Sequence, residues 1–430
     1  MIESGPTFDQ AKARPDRGRF FFQRRKGPSR LWRFVLLLVL ISLSTSLCSV
    51  QILAESGARV DWVGQDEILA GLSSITEEEL SHLDLDEVHS YLAQLDEETR
   101  ELLPRWDPLE WIRSGVGLNF SRVLQNGAKL LWREVVVNFT LLGRVIILAV
   151  IGAVLTHFQQ AWAGESLGHL VESVIYLILM GLSIQSFTFT LHLAHQVLER
   201  LINFVYALLP SVFALLTAAG GVTLTTVCHP IIWGGIGLVV HLIKGLALPV
   251  IYLSGTVGLV SRLAEGFTMG KLAALGRKLS IGLLGLFVSI FLGLVTVQGI
   301  TVAVADGVTL RAARFITGNF LPLVGGAIAD SIELAAGCSL LLKNALGAFG
   351  AVAAVIICIH PALKILAVSL IYQLAAALIQ PLNQERLADS LQEIGGTIMV
   401  VFAAVAVTAM MVFFGLSVLV GLGNIMAMIR

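Results

Sequence analysis

Charged residues are scarce in most of this sequence. Only 14% of its 430 residues are charged, while 56% are hydrophobic. The mean hydropathy is +0.83. The basic residues are too few and too scattered to form a nucleic-acid-binding surface, and the apolar fraction is too high for a disordered chain. These values exclude both classes of protein.

Cysteine is also rare, with four residues, and no two of them have the C-x-x-C spacing. Three of the four lie within or beside apolar runs, where cysteine usually acts as a small packing residue. The sequence therefore predicts neither a zinc site nor a disulfide framework. The four are Cys48, Cys228, Cys338 and Cys358.

Catalytic motifs are missing as well. There is no G-x-S-x-G or H-E-x-x-H sequence, and the segment GFTMGK at 266–271 lacks the spacing of a phosphate-binding loop. His192 and His195 are three residues apart, but no third ligand lies near them in the sequence, which favours a solvated amphipathic helix over a metal site. We therefore expect a protein that is not an enzyme and has no metal or cofactor.

Long apolar runs fill the chain from about residue 135 to its end. A helix needs about 20 apolar residues to cross a hydrocarbon core of about 30 Å. Residues 135–157 meet that length, and residues 281–304 do so without a charge. Because no segment alternates as a barrel strand does, the fold class is predicted to be all-α, a polytopic transmembrane bundle of seven to nine spans. The runs lie near 135–157, 167–189, 203–222, 226–243, 246–261, 281–304, 319–342, 348–378 and 395–427.

Two shorter regions precede this transmembrane domain, which covers 135–430. Residues 1–54 combine a basic segment with a short apolar run and small residues, the order of a signal peptide, although an uncleaved anchor would have the same pattern. Residues 55–134 contain seventeen acidic and seven basic residues, and leucines recur there every three to four positions. We expect this second region to be a small helical element outside the cytoplasm.

Charge in the loops gives a predicted orientation. The loop 262–280 has four basic residues and one acid, so the positive-inside rule predicts that it is cytoplasmic. The acidic segment from Glu385 to Glu393 is better placed outside, although acids have little weight in that rule. The small-residue faces of the apolar runs favour close helix packing or self-association of the chain.

Few residues within the apolar runs could have a functional role. Asp330 and Glu333 lie three apart on one helical face, and Lys343 follows ten residues after Glu333 as a candidate partner. An acid at the bilayer centre costs about 2.5–3.5 kcal/mol, so such residues usually face a cavity or a partner. The three residues are a candidate polar face for transport or assembly; a re-entrant segment whose acids contact water is the alternative. Lys244 is expected to have a structural role.

Three segments of the sequence resemble the stage III sporulation protein AE family. They are LLGRVIILAVIGAVL at 141–155, LLPSVFALLTAAGG at 208–221 and FLPLVGGAIADSIELAAGCSLLLKNALG at 320–347. The order of signal peptide, small helical region and multi-span body also resembles that family. The resemblance runs from about residue 34 to the C-terminus, and the long basic segment 1–33 departs from it.

The resemblance implies a subunit of the channel that joins mother cell and forespore during endospore formation. Such a subunit would lie in the mother-cell membrane around the forespore. Its partners would be the lipid bilayer and the other proteins of its operon, including a secretion-type ATPase and ring-forming membrane proteins. The family supplies no catalytic or ligand-binding residues to transfer. An autonomous secondary transporter with Asp330 and Glu333 in the transport path is the alternative function.

Overall fold

The structure is a computed structural model, and its describable part is helical. The backbone is described at Ser90 and over 120–162, 165–261, 269–293, 325–382 and 384–429. Side chains are described at Ser90 and over 127–155, 173–261, 269–293, 334–382 and 384–421. Met1–Leu43 and Ser44–Arg430 form two compact units, and all described residues belong to the second. The predicted regions 1–54 and 55–134 lie largely outside the described residues, so those boundaries stay predictions.

Eight helices are described, and no strand is found in the described ranges, which confirms the all-α prediction. A five-residue π-helical turn, Ile243–Ala247, joins α4 to α5, and a short 3₁₀ turn, Gln380–Leu382, follows α7. In chain order the helices are α1 Phe120–Val137, α2 Phe139–Trp162, α3 Glu165–Ala218, α4 Val222–Leu242, α5 Leu248–Val260, α6 Gly270–Gly293, α7 Gly325–Ile379 and α8 Glu385–Ile429.

Several predicted spans are joined into single long helices. Five described helices are long and apolar enough to cross a membrane, and a sixth span results if α1 and α2, bent by 43°, act together. The number is below seven to nine because neighbouring apolar runs share a helix. The runs 167–189 and 203–222, for example, both lie in α3. The polar residues between them, HLAHQVLER, include no glycine or proline that would break a helix.

Three prolines lie inside helices without ending them. Pro210, Pro230 and Pro361 all lie inside continuous helices. Pro249 lies at the start of α5, directly after the π-helical turn, where the backbone N–H of Leu248 donates to the carbonyl oxygen of Ile243. A π-helical turn is one of the usual ways in which a helix accommodates a local disruption of its hydrogen bonds.

Helices α3, α7 and α8 form the centre of the bundle. A Cβ at Gly347, in the first half of α7, would contact Val420 in the last part of α8. Ser369 Oγ, later in α7, donates to the carbonyl oxygen of Gly395, early in α8, at 2.8 Å. The two helices are therefore antiparallel. Helix α7 is also antiparallel to α3, because Gly350 lies against Leu208, and the hydroxyl of Tyr372 donates to the carbonyl oxygen of residue 182.

Apolar side chains at helical spacing fill the core between these helices. On α3 the buried series continues from Leu201 to Leu216, and pairs of neighbouring buried residues recur there every three to four positions. This spacing places all its members on one face. Its members are Leu201, Phe204, Val205, Leu208, Leu209, Val212, Phe213, Leu215 and Leu216.

The predicted orientation of the loops is wrong for one of the two segments. The hydroxyl of Tyr176 lies 3.3 Å from the carbonyl oxygen of Leu259 and 3.1 Å from Ser390 Oγ. The end of α5, which leads into 262–268, therefore lies beside the start of α8. Since both segments are at the same end of the bundle, they cannot lie on opposite sides of a membrane. Acidic residues have little weight in the positive-inside rule, so the acidic segment is the weaker of the two assignments.

Candidate functional site

Lys343 is a fully buried basic residue between α7 and α8. Its side chain has no exposed surface. The Nζ atom donates to the carbonyl oxygens of Val420, at 3.0 Å, and Leu419, at 3.4 Å. Among the described residues no carboxylate lies within ion-pair distance of this nitrogen. The side-chain nitrogen of Lys343 is therefore held by two backbone carbonyl oxygens within α8.

Close packing of the two helices surrounds Lys343. A Cβ added to Gly347 would overlap Val420, and one added to Gly350 would overlap Leu208. These glycines allow α7 to approach α8 on one side and α3 on the other. The sequence predicts close packing at faces of small residues, and the face that contains Gly347 and Gly350 lies beside Lys343.

Asp330 and Glu333 lie in α7, on the same helix as Lys343. Their side chains are outside the described residues. Glu333 precedes Lys343 by ten residues, which is about 15 Å along an α-helix. The predicted association of the three residues stays a prediction.

A second polar cluster, which the sequence analysis did not identify, joins α6 to α8. Arg277 Nη2 donates to Thr397 Oγ1 at 2.9 Å and to the carbonyl oxygen of Glu393 at 3.2 Å. The same nitrogen lies 3.5 Å from Glu393 Oε1, and the two side chains are 25% and 14% exposed. Arg277 had been treated only as a positive charge in a loop, whereas it lies inside α6.

Glycines also provide the space for this cluster. A Cβ at Gly258 would lie 2.8 Å from Glu393 Oε1, and a Cβ at Gly396 would lie 3.4 Å from Arg277 Nη1. The neighbouring Gly395 packs against the backbone of α7 at Ser369. The pair Gly395–Gly396, one turn after a glutamate, is a sequence signal for close approach by other helices, and it could have indicated this cluster.

The third polar group lies on the outside of the bundle. Lys244 Nζ donates to Glu199 Oε1 at 2.6 Å, so the lysine expected to be structural does pair with an acid. His192 and Gln196 form a side-chain contact of 3.1 Å one turn earlier on α3. Within the described ranges no cluster of three or more metal-ligating side chains occurs. His192 and His195 remain a pair on a polar helix face.

These three groups can hold helices together and fix charges inside an apolar bundle. Each cation binds carbonyl, hydroxyl or carboxylate oxygen from another helix. None of them combines a nucleophile with a general base, the arrangement that covalent catalysis requires. Their contacts support helix packing and a polar lining within the bundle.

Comparison with known proteins gives one family and one curated relative. The family model described as stage III sporulation protein AE matches residues 109–423. A curated relative, stage III sporulation protein AE of Bacillus subtilis (strain 168), is 34% identical over 325 residues, which cover 76% of this chain and 78% of the relative. No solved structure gives a significant match.

The match includes every polar group described above. Lys343 and both of its carbonyl partners lie within 109–423, as do Arg277 and Glu393. The match also covers about three quarters of both chains, so it extends over the full bundle and not over one helix pair. The chain belongs to the stage III sporulation protein AE family.

Proposed function

We propose that this chain is a membrane subunit of the channel complex that joins mother cell and forespore during endospore formation. The observation that carries the proposal is the family match over residues 109–423. Its five or six long apolar helices support a subunit that is integral to a membrane. The role is non-enzymatic, and the membrane is the mother-cell membrane that surrounds the forespore.

The partners in this proposal are the other proteins of the same operon. They include a secretion-type ATPase and ring-forming membrane proteins. The chain has no phosphate-binding loop in its sequence, so energy from a nucleotide would have to come from a separate subunit. Residues 55–134 would face the space between the two membranes, where the ring-forming proteins would contact them.

Lys343 would contribute a buried basic group to the polar face of this subunit. It is buried between α7 and α8 and binds only carbonyl oxygens among the described residues. Buried charges within apolar bundles are costly and are usually kept for a function. Together with Asp330 and Glu333 it would form a face for transport or for assembly with another subunit.

Deletion of the gene in the endospore former that carries it tests the proposal. We expect engulfment to finish, the forespore then to collapse, and late forespore reporters to stay silent. Complementation with the wild-type gene should restore spores, and complementation with Lys343→Met should restore fewer. Normal sporulation of the deletion strain would contradict the proposed role.

A transport assay separates the channel subunit from an autonomous transporter. The purified chain in liposomes should move no solute alone, because the proposed complex needs its other subunits. Substrate flux by the chain alone, lost in Asp330→Asn, would support the transporter and contradict the proposal. Photo-crosslinking from Tyr91 tests the placement of residues 55–134, and capture of cytoplasmic proteins only would contradict it.

A further inference from the structure

We infer that one outward face of α3 lines a water-filled path for hydrophilic solutes through the membrane. The inference rests on the proposed function, because this face lies on the outside of the bundle. The opposite wall of the path must therefore come from other subunits of the channel complex. We call this face the α3 polar face, and its members are Gln185, Thr188, His192, Gln196, Glu199 and Asn203.

The outward surface of α3 changes from apolar to polar along the helix. Seven residues are exposed between positions 182 and 203, and six of them form the polar face. The seventh is Phe189, which is 57% exposed. Elsewhere in the described part of α3, large apolar side chains are exposed only at Val174, Leu177 and Ile178. The polar residues are therefore not isolated exceptions on an apolar surface.

The members of the polar face follow one another at intervals of three and four residues. This spacing places them in one row along the helix. Gln185 and Asn203 are 18 positions apart, which is a rise of about 27 Å. The polar face is thus almost as long as the hydrocarbon core is thick, about 30 Å.

Two polar contacts lie along this face. Glu199 Oε1 accepts a hydrogen bond from Lys244 Nζ at 2.6 Å, and the two side chains are 58% and 26% exposed. The side chains of His192 and Gln196 are in contact at 3.1 Å. Each of these contacts leaves polar groups at the surface of the bundle, so the face can still bind water.

The polar face cannot lie entirely outside the hydrocarbon. The apolar part of α3, Ser173–Ala218, has 46 residues. A hydrocarbon core of about 30 Å covers about 20 of them, or slightly more where the helix tilts. Any stretch of about 20 residues in Ser173–Ala218 includes at least two members of the polar face. At least two outward-facing polar side chains are therefore at the level of the acyl chains.

Acyl chains do not suit such a surface. Polar and ionisable residues in transmembrane segments usually face the interior of a bundle or a water-filled cavity. Helix α7 shows the alternative, because all seven of its exposed residues over 334–379 are apolar. Among them are Leu341, Val355 and Leu374, which are 43%, 37% and 47% exposed. Lipid fits the outward surface of α7, whereas water fits the polar face of α3.

Single polar residues on other helices have a simpler explanation. Lys271 and Lys278 are exposed on α6, where Leu272, Leu275 and Leu279 are exposed beside them. A lysine keeps its long apolar stem in the hydrocarbon while its ammonium group reaches the headgroups. The side chains of glutamine, histidine and asparagine are shorter, so those of the α3 polar face cannot reach as far.

Water also fits the polar face better than a closely packed helix does. Transmembrane helices approach one another through small residues. No glycine, alanine or serine is exposed on α3 between positions 182 and 203, and five of the six polar side chains there are larger than threonine. The face therefore has hydrogen-bonding groups without the surface that close helix contact requires.

Cysteine labelling tests the inference in membranes from sporulating cells, which contain the complete complex. Asn203→Cys and Val355→Cys form the first pair. They lie at one level, because Leu208 and Gly350, each five positions away, are packed together in antiparallel helices. A charged maleimide needs a thiolate in water, so Asn203→Cys should react about tenfold faster than Val355→Cys. Labelling is scored above that of the parent chain, whose described cysteines are buried.

The second pair is Gln185→Cys and Leu374→Cys. Both lie near the level at which the hydroxyl of Tyr372 donates to the carbonyl oxygen of Leu182. Any stretch of about 20 residues in the apolar part of α3 includes Gln185 or its counterpart in the first pair. At least one α7 variant should therefore be protected while its α3 counterpart reacts. All four variants should react equally in denaturing detergent.

Two results would overturn the inference. If an α3 variant is protected as well as its α7 counterpart, lipid or another protein covers the polar face. If both α7 variants react as fast as the α3 variants, the outward surface of α7 is also in water and the contrast is absent. The channel role itself is tested separately by the deletion strain, whose phenotype does not depend on labelling.

Discussion

Lys343 and Arg277 each place a basic side chain against α8, but they do so near opposite ends of its described length and by different chemistry. Lys343 is fully buried and donates to two carbonyl oxygens. Arg277 is a quarter exposed and contacts a carboxylate, a hydroxyl and a carbonyl oxygen. The partner of Arg277 is therefore itself charged, whereas the oxygens that hold Lys343 are neutral. Removal of Arg277 should therefore leave an unpaired carboxylate, whereas removal of Lys343 should leave only neutral carbonyl oxygens.

The largest expected effect is at Arg277. Arg277→Met removes the cation but leaves the Glu393 carboxylate partly buried, so we expect the free energy of unfolding to fall by about 2–3 kcal/mol, between the values for buried and surface pairs. Denaturant titration in detergent micelles measures this change. The double variant Arg277→Met, Glu393→Gln should recover part of the loss. A double variant no more stable than the single one would show that the pair is not coupled.

Gly395 should give the next largest effect. In Gly395→Ala the new Cβ would lie 3.1 Å from the carbonyl oxygen of Ser369 and 3.3 Å from the backbone nitrogen of Gln373. Backbone atoms cannot move aside as side-chain ends can, so unfolding should become easier by about 1–3 kcal/mol. Gly143→Ala is the matched control, because no atom lies within 4 Å of its new Cβ. Equal effects of both substitutions would contradict this packing.

The pair on the outside of the bundle should matter less. Lys244→Met removes an ion pair whose acid is 58% exposed. Exposed pairs contribute about 0.2–1 kcal/mol, and we expect a loss in that range. The difference between wild type and variant should shrink at high salt, because salt screens exposed charges. A salt-independent loss above this range would indicate a buried partner.

Lys343 should give the smallest change in stability. Lys343→Met keeps a chain of similar length and leaves no unpaired charge among the described residues, so the free energy of unfolding should stay within about 1 kcal/mol or rise. Lys343→Ala, in contrast, leaves a cavity and should lose about 2 kcal/mol or more. A large loss of stability in Lys343→Met would mean that Lys343 and Arg277 contribute to stability in the same way. In that case, reduced sporulation of the Lys343→Met strain could result from an unstable protein and would not test the function of Lys343.

Much of this architecture could be predicted from the sequence, for a physical reason. A hydrocarbon solvent requires helices of known length, so the all-α class and the apolar runs follow from composition. The sequence predicts a role for Lys343 because it follows the acids Asp330 and Glu333 in the same apolar region as a candidate partner. The sequence does not single out Arg277, because it lies among other basic residues. The positive-inside rule accounts for all of them as loop charges, so nothing indicates that Arg277 contacts another helix.

Helix continuity and the relation between distant helices could not be predicted in the same way. The polar stretch between two apolar runs was treated as a boundary, although it has no residue that breaks a helix. The association of Glu393 with Arg277 depends on which helices are neighbours, and the two residues are 116 positions apart. The hydropathy pattern of one sequence does not show which helices are neighbours. The charges of the loops predict opposite sides of the membrane for 262–280 and for the acidic segment Glu385–Glu393. In the structure Arg277 and Glu393, one from each segment, are in contact.

The π-helical turn at Ile243–Ala247 acts as a one-residue insertion in an otherwise continuous helix. Each residue of an α-helix turns the chain by about 100°, so the turn sets the rotation of everything that follows it. Deleting one residue there would rotate Leu248–Val260 away from α3 and α8. Gly255 would then no longer face Phe187, and Gly258 would no longer face Glu393. Five residues near the middle of one helix thus control the register of contacts at its far end.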